Sequence, residues 1–133
     1  MLEKEIVYMP IDSSKHLFVH AMINKKAPDT KGVFALYGPD KGVIYYGRSN
    51  KSIREELLSH CNGKEVPCTQ QAWYFSFELT NAVKKREKEL LEEYQKTHAV
   101  LPRCNVRVHR SKIYKESKLY VLKSNADEIQ LQR

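Results

Sequence analysis

The 133-residue chain carries little that breaks or staples a backbone: five Gly, five Pro, three Cys and a single Trp. So few Gly and Pro, with 41% hydrophobic and 29% charged residues, exclude a low-complexity or disordered chain and predict one ordinary core. Long apolar runs are also missing. Stretches such as Gly42 to Gly47 fall far below the ~20 residues a membrane span needs, so no membrane partner is expected. The start, Met1 to Glu5, mixes both charges and leads into no apolar signal region, which predicts no secretory leader and a cytoplasmic setting. Cys61, Cys68 and Cys104 are an odd set that cannot close into a full disulfide framework, and reduced, buried thiols are expected. A zinc site from these three with His109 lacks a CxxC knuckle and paired ligand spacing.

What is abundant is positive charge. Lys plus Arg number 23 against 16 Asp plus Glu, a net +7 that points toward a polyanionic partner. Arg103, Arg107, Arg110, Lys112, Lys115, Lys118 and Lys123 lie in one segment opposed only by Glu116. Two readings of that segment stand side by side: a solvated strand edge guarded by Lys and Arg, or a phosphate-binding surface with Tyr114 and Tyr120 as stacking groups.

The first 31 residues show no strong period, with a short strand expected at Ile6 to Met9 and an unassigned apolar cluster at His16 to Ile23. From Gly32 the pattern sharpens. Val33 to Tyr37 and Val43 to Tyr46 are β-branched and aromatic runs split by Gly38-Pro39-Asp40-Lys41-Gly42, which predicts a β-hairpin. Ser52 and Glu55 make a capping box that starts a helix at Ile53, with Ile53, Leu57, Leu58 and Cys61 as its apolar stripe and Asn62-Gly63 as its stop. Gln71 to Leu79 predicts a third strand bounded by Pro67, and Thr80 is expected to cap a long helix reaching about His98. Further strands are expected at Val106 to Arg110 and Lys118 to Lys123. The order is β-β-α-β-α, an α+β fold with a small, mainly antiparallel sheet flanked by helices. One domain is expected, with a lead-in over 1–31, a core over 32–105 and a basic extension over 106–133.

One residue breaks the long helix's stripe. Val83, Leu90, Leu91 and Tyr94 form its apolar face, yet Glu87 lies four residues after Val83 and three before Leu90. A carboxylate among apolar neighbours needs a cation or a donor network, so Glu87 is a candidate site residue.

Taken together, Gly32-Val33-Phe34 opening one strand and Tyr45-Tyr46-Gly47 closing the next resemble the paired motifs of the GIY-YIG nuclease family. Ile53 to His60 is similar to that family's first helix, Glu87 to Leu91 to its acidic second helix, and Pro102 to Asn105 to its closing motif, so the likeness covers Gly32 to Asn105. The resemblance implies an endonuclease that hydrolyses phosphodiester bonds, mostly in DNA, at one divalent cation, Mg²⁺ or Mn²⁺. It makes Glu87 the metal ligand and Tyr45 the hydroxyl that orients or deprotonates water. Arg48, His60 and Asn105 take the basic, polar and tying positions. Arg48, Lys51, Arg103, Arg107, Arg110 and Lys112 are the expected nucleic-acid contacts.

Two positions depart from the family pattern. Phe34 stands where the family has a tyrosine, which keeps the ring and removes a hydroxyl. Glu56 stands where the family's catalytic arginine is expected, which reverses a charge near phosphate. Losing such a stabiliser commonly costs about a hundredfold to a thousandfold in rate. Arg54 is turned ~200° away along the helix and cannot replace it. Arg48 is the better substitute. A working nuclease and a nucleic-acid-binding module without turnover are therefore both compatible with the sequence.

Overall fold

The computed structural model describes residues 11, 13–65 and 67–106. The strands expected at Ile6 to Met9 and Lys118 to Lys123 lie outside them, as do Arg107, His109, Arg110, Lys112, Tyr114 and Tyr120. Val106 is described and is not a strand residue. It belongs to a helical turn that begins at Arg103, and its N–H donates to the Pro102 carbonyl at 3.1 Å.

The elements in chain order are β1 (His16–Leu17), α1 (His20–Lys26), β2 (Gly32–Tyr37), β3 (Val43–Ser49), α2 (Ile53–Cys61), α3 (Pro67–Gln70), β4 (Tyr74–Leu79) and α4 (Val83–His98). The fold is α+β. Among the described residues, four strands form one antiparallel sheet in the order β1-β4-β2-β3, with β3 at one edge.

Every residue of β2 is buried, because helices cover both sides of the sheet. Phe34 and Leu36 face a core built with Ile23 of α1 and Ala27 just after it, Ile53 and Leu57 of α2, and Phe75 of β4. Val33, Ala35 and Tyr37 face the other way, toward Leu90 of α4. A period of two along β2 thus serves two cores, so both parities are apolar. At roughly 1.5 to 3 kcal/mol for each fully buried large side chain, this strand contributes much of the folding free energy.

The hairpin is where the β-branched and aromatic runs place it. Its turn is closed by Gly38 N–H donating to the Gly42 carbonyl at 2.9 Å, and Lys41, not a glycine, takes the left-handed backbone at φ 67°. Helix α2 begins at Ile53 with half of the expected capping box: Ser52 Oγ accepts from Glu55 N–H at 3.1 Å, a contact worth about 1 kcal/mol, while Ser52 N–H donates to Ser49 Oγ at 2.9 Å instead of to Glu55. Gly63 supplies the left-handed stop at φ 76°.

Several expectations are corrected. Pro67 does not merely bound the third strand; it opens the short helix α3, and the strand starts at Tyr74. Thr80 does not cap α4. The N-cap position is Ala82 without a side-chain cap, and Thr80 Oγ1 instead accepts from Ala82 N–H at 3.1 Å, a turn just before the helix. The apolar cluster at His16 to Ile23 divides into β1 and α1. On α2 the most buried positions are Ile53, Leu57 and His60, while Leu58 and Cys61 are half-buried.

The three thiols are not all reduced. Cys68 of α3 and Cys104 are joined in a disulfide, their Cα atoms 5.6 Å apart, and Cys61 is free. An odd count fixes only that one thiol is left over; the turn at Pro102 carries Cys104 back to α3. The bridge removes one argument for a reducing compartment. Among the described residues, no helix is long and apolar enough to cross a membrane.

The bridged residues are 36 apart in sequence, a loop whose closure contributes about 3 to 4 kcal/mol by chain entropy. Denaturant unfolding of Cys104→Ser against the oxidised protein is expected to show a loss of about 2 to 4 kcal/mol. An unchanged midpoint would mean that the bridge does not form in solution.

Candidate functional site

Strand β3 is the edge strand that carries the tyrosine-glycine motif. Its register against β2 pairs Leu36 with Tyr45, Ala35 with Tyr46, Phe34 with Gly47 and Val33 with Arg48. Directly opposed residues share a face, so Tyr45 lies on the α2 side of the sheet and Tyr46 and Arg48 on the α4 side. Gly47 lets two rings meet. A Cβ there would stand 2.5 Å from Phe34 Cζ and 2.7 Å from Tyr45 Cε2, too close for either ring to remain. With no Cβ in the way, Phe34 and Tyr45 pack at 6.0 Å between centroids, and both pack on His60, at 5.6 and 5.1 Å.

On the α4 side, Glu87 has its carboxylate on the Arg48 guanidinium. Their side chains are 17% and 37% exposed, so the carboxylate is held off the apolar stripe by a cation, as the burial argument requires. Asn105 acts on the neighbouring residue. Its side-chain oxygen accepts from Tyr46 N–H at 2.9 Å and its Nδ2 donates to the Tyr46 carbonyl at 3.0 Å. That pairing satisfies both polar atoms of the Tyr46 peptide on an edge strand and fixes β3 against the Pro102 turn.

On the α2 side, His60 is buried, with Nδ1 2.7 Å from Thr69 Oγ1. Burial pushes its pKa down to about 4, against a smaller opposing pull from Glu65, so the ring is neutral at pH 7. Glu56 Oε2 stands 3.8 Å from His60 Nε2, beyond hydrogen-bond reach, and with a neutral ring this is not an ion pair. Glu56 is half-buried, and burial followed by repulsion from Glu65 pushes its carboxyl up. The helix position that reverses the expected charge is therefore a partly desolvated acid beside a neutral histidine.

Tyr45 feels both sides. Burial raises its pKa, and Glu87, Glu56 and Glu65 raise it further, with Arg48 opposing. Its phenol is held protonated, which suits orienting a water as donor or acceptor and disfavours taking a proton from one.

Arg48 and Lys51 share a polar hollow of about 460 Å³ between the end of β3 and the start of α2, whose rim also carries Glu55 and Glu56. Arg103 lies elsewhere, in a larger open groove of about 960 Å³ with Tyr46, Tyr94 and His98. That groove includes neither Tyr45 nor Glu87, so its size does not make it the reacting centre. Of the expected site residues, the fold thus brings Arg48 to Glu87, His60 to Tyr45, and Asn105 to the backbone beside them, and it separates Arg103 from Lys51. Arg54 faces away as the helix geometry predicts, and its Nε donates to the Ala27 carbonyl at 2.9 Å.

Two features escaped the sequence reading. Glu78 of β4 is a buried carboxylate held by Arg86 of α4 through bonds of 2.7 and 3.1 Å. The available signal was an acid between Phe77 and Leu79. Glu65 and Thr69 also join the surroundings of His60, and nothing in their spacing announced it. Neither a family model nor a curated protein sequence matches the chain.

His60 predicts a pH dependence. The unfolded chain takes up its proton near 6.5 and the folded one only near 4, so this group's stability is complete above pH 6.5 and is lost as pH falls toward 4. The loss amounts to ~3 kcal/mol at most, offset in part by Glu56, whose raised pKa acts in the opposite sense. Unfolding free energies measured across this range are expected to fall on acidification, and His60→Gln should flatten the slope. A wild-type curve without such a slope would mean the ring is solvated.

Proposed function

We propose that the chain is a metal-dependent endonuclease of the GIY-YIG type that binds nucleic acid, DNA first, and hydrolyses its phosphodiester bonds. The observation that carries this reading is Glu87, a partly buried carboxylate on α4 held by Arg48 at the edge strand bearing Tyr45-Tyr46-Gly47.

The donor set fits a hard divalent cation. Mg²⁺ or Mn²⁺ keeps most of its waters and takes one or two protein carboxylates, so Glu87 with phosphate oxygens suffices. Bound there, the cation would stabilise the leaving oxygen and the charge on phosphorus. The chain's own groups do the rest. Arg48 offers a planar, two-pronged donor to phosphate once Glu87 is engaged elsewhere, in a hollow it shares with Lys51. The Tyr45 hydroxyl, kept protonated and within electrostatic reach of Glu87 across the edge strand, would orient the attacking water. Asn105 holds the strand from which both project. His60, buried against Tyr45, positions that ring.

A second reading has its own support. With Glu87 neutralised by Arg48, no hydroxyl on Phe34 and a carboxylate at Glu56, the same surface suits a nucleic-acid-binding module without turnover. The Lys and Arg excess then supplies affinity through counterion release.

With Mg²⁺ or Mn²⁺ the purified protein is expected to nick DNA, and Glu87→Ala to reduce nicking by at least about a hundredfold. Nicking that survives this change would assign the activity to another protein. Binding that weakens with salt while no metal supports cleavage would select the second reading.

A further inference from the structure

Glu56 and His60 lie one turn apart on α2, and Glu65 follows the helix. One ligand-competent atom from each falls within 4.8 Å of the others. Neighbouring acids alone would mean little. What marks this cluster is the state of the histidine.

The His60 side chain is 2% exposed, and its Nε2 is buried without a hydrogen-bond partner among the described residues. Leaving a buried polar atom unmatched costs about 1 to 3 kcal/mol, and native structures rarely tolerate it without a reason. The other ring nitrogen is committed. Nδ1 lies 2.7 Å from Thr69 Oγ1, and a proton on Nδ1 donated to that hydroxyl leaves the Nε2 lone pair bare and aimed at the carboxylates. Histidines that bind metals are oriented in this way, with the second N–H held by an oxygen. Burial keeps the ring neutral at pH 7, the form a cation requires.

Distances agree with a site that closes on an ion. Glu56 Oε2 is 3.8 Å from Nε2. Two ligands of a tetrahedral ion with bonds of about 2.0 to 2.1 Å stand roughly 3.3 Å apart, so a small inward movement completes the pair. Glu65 Oε2 accepts from Ser59 Oγ at 3.2 Å, a bond that turns its carboxylate back toward the helix carrying the other two. One imidazole nitrogen with two carboxylates selects a borderline ion such as Zn²⁺ over hard Mg²⁺, which prefers oxygen alone.

We propose that Glu56, His60 and Glu65 bind a divalent transition-metal ion of the zinc class through Nε2 and one oxygen of each carboxylate. The fourth position is left for water or a phosphate oxygen, and Thr69 is the residue that orients the histidine. Its ligand set does not include Glu87, whose carboxylate is held by Arg48, although Arg48 shares a hollow with Glu56. It does not depend on the nuclease reading.

The test uses the full chain, stripped of metal and kept oxidised, titrated with Co²⁺ as a spectroscopic probe and then with Zn²⁺ in competition. One tight equivalent is expected to fill ahead of any weaker binding at Glu87, with ligand-field bands and no thiolate charge-transfer band. Glu65→Gln and Glu56→Gln, neither of which empties the core, should each weaken binding about tenfold or more, and Thr69→Ala should weaken it less. Glu87→Ala should leave it unchanged. Absence of saturable binding, equal affinity in the Glu65 and Glu56 variants, a thiolate band from Cys61, or lost affinity in Glu87→Ala would each overturn the proposal. Co²⁺ binding with this pattern in a protein that never nicks DNA would keep the site and discard the nuclease; nicking without such binding would do the reverse.

Discussion

The constraint on which the rest depends is the burial of β2 on both faces. A strand enclosed by α1 and α2 on one side and by α4 on the other cannot carry charge at either parity without leaving it unpaired in an apolar setting. Polar chemistry is therefore displaced to its neighbours. Strand β3, at the edge of the sheet among the described residues and clamped there by Asn105, takes Tyr45 and Arg48, and the facing helices supply the carboxylates. The one acid on β4 that turns inward, Glu78, is accommodated only because Arg86 grips it from α4 with two hydrogen bonds.

This arrangement divides the polar residues between two faces. Tyr45 and Arg48 are three residues apart, an odd spacing that sends them to opposite sides of a strand. Phenol, histidine and Glu56 gather beneath α2, while guanidinium, Glu87 and the Asn105 clamp gather beneath α4. They meet at the hollow that Arg48 shares with Glu56 and through electrostatics: Glu87, Glu56 and Glu65 raise the pKa of Tyr45, and Arg48 lowers it. Charge at one face therefore acts on the tyrosine of the other across a single edge strand.

Much of the framework was legible from residue pattern. The hairpin runs, the Ser52 cap, the stop at Gly63 and the end of α4 near His98 are local signals, and each has its cause within a few residues. Glu87 was legible as well, because a carboxylate interrupting an apolar stripe asks for a cation, and Arg48 answers it. What stayed hidden depends on contacts distant in sequence. His60 was legible as a polar position of the first helix but not as a buried one; it lies within the core because Thr69, on a helix not anticipated, meets its ring. The disulfide is of the same kind: no spacing rule joins Cys68 to Cys104. Helix α1 is short and starts at Val19 without a side-chain cap, so it offered little to read. The capping role assigned to Thr80 failed because the helix begins later, at a residue whose cap is only backbone.

Asn105 grips both polar atoms of the Tyr46 peptide, and its neighbour Cys104 is bonded to α3. The Cys68–Cys104 bridge therefore reaches the edge strand through a single neighbouring residue, so breaking it would slacken the brace on the ribbon that presents Tyr45 and Arg48.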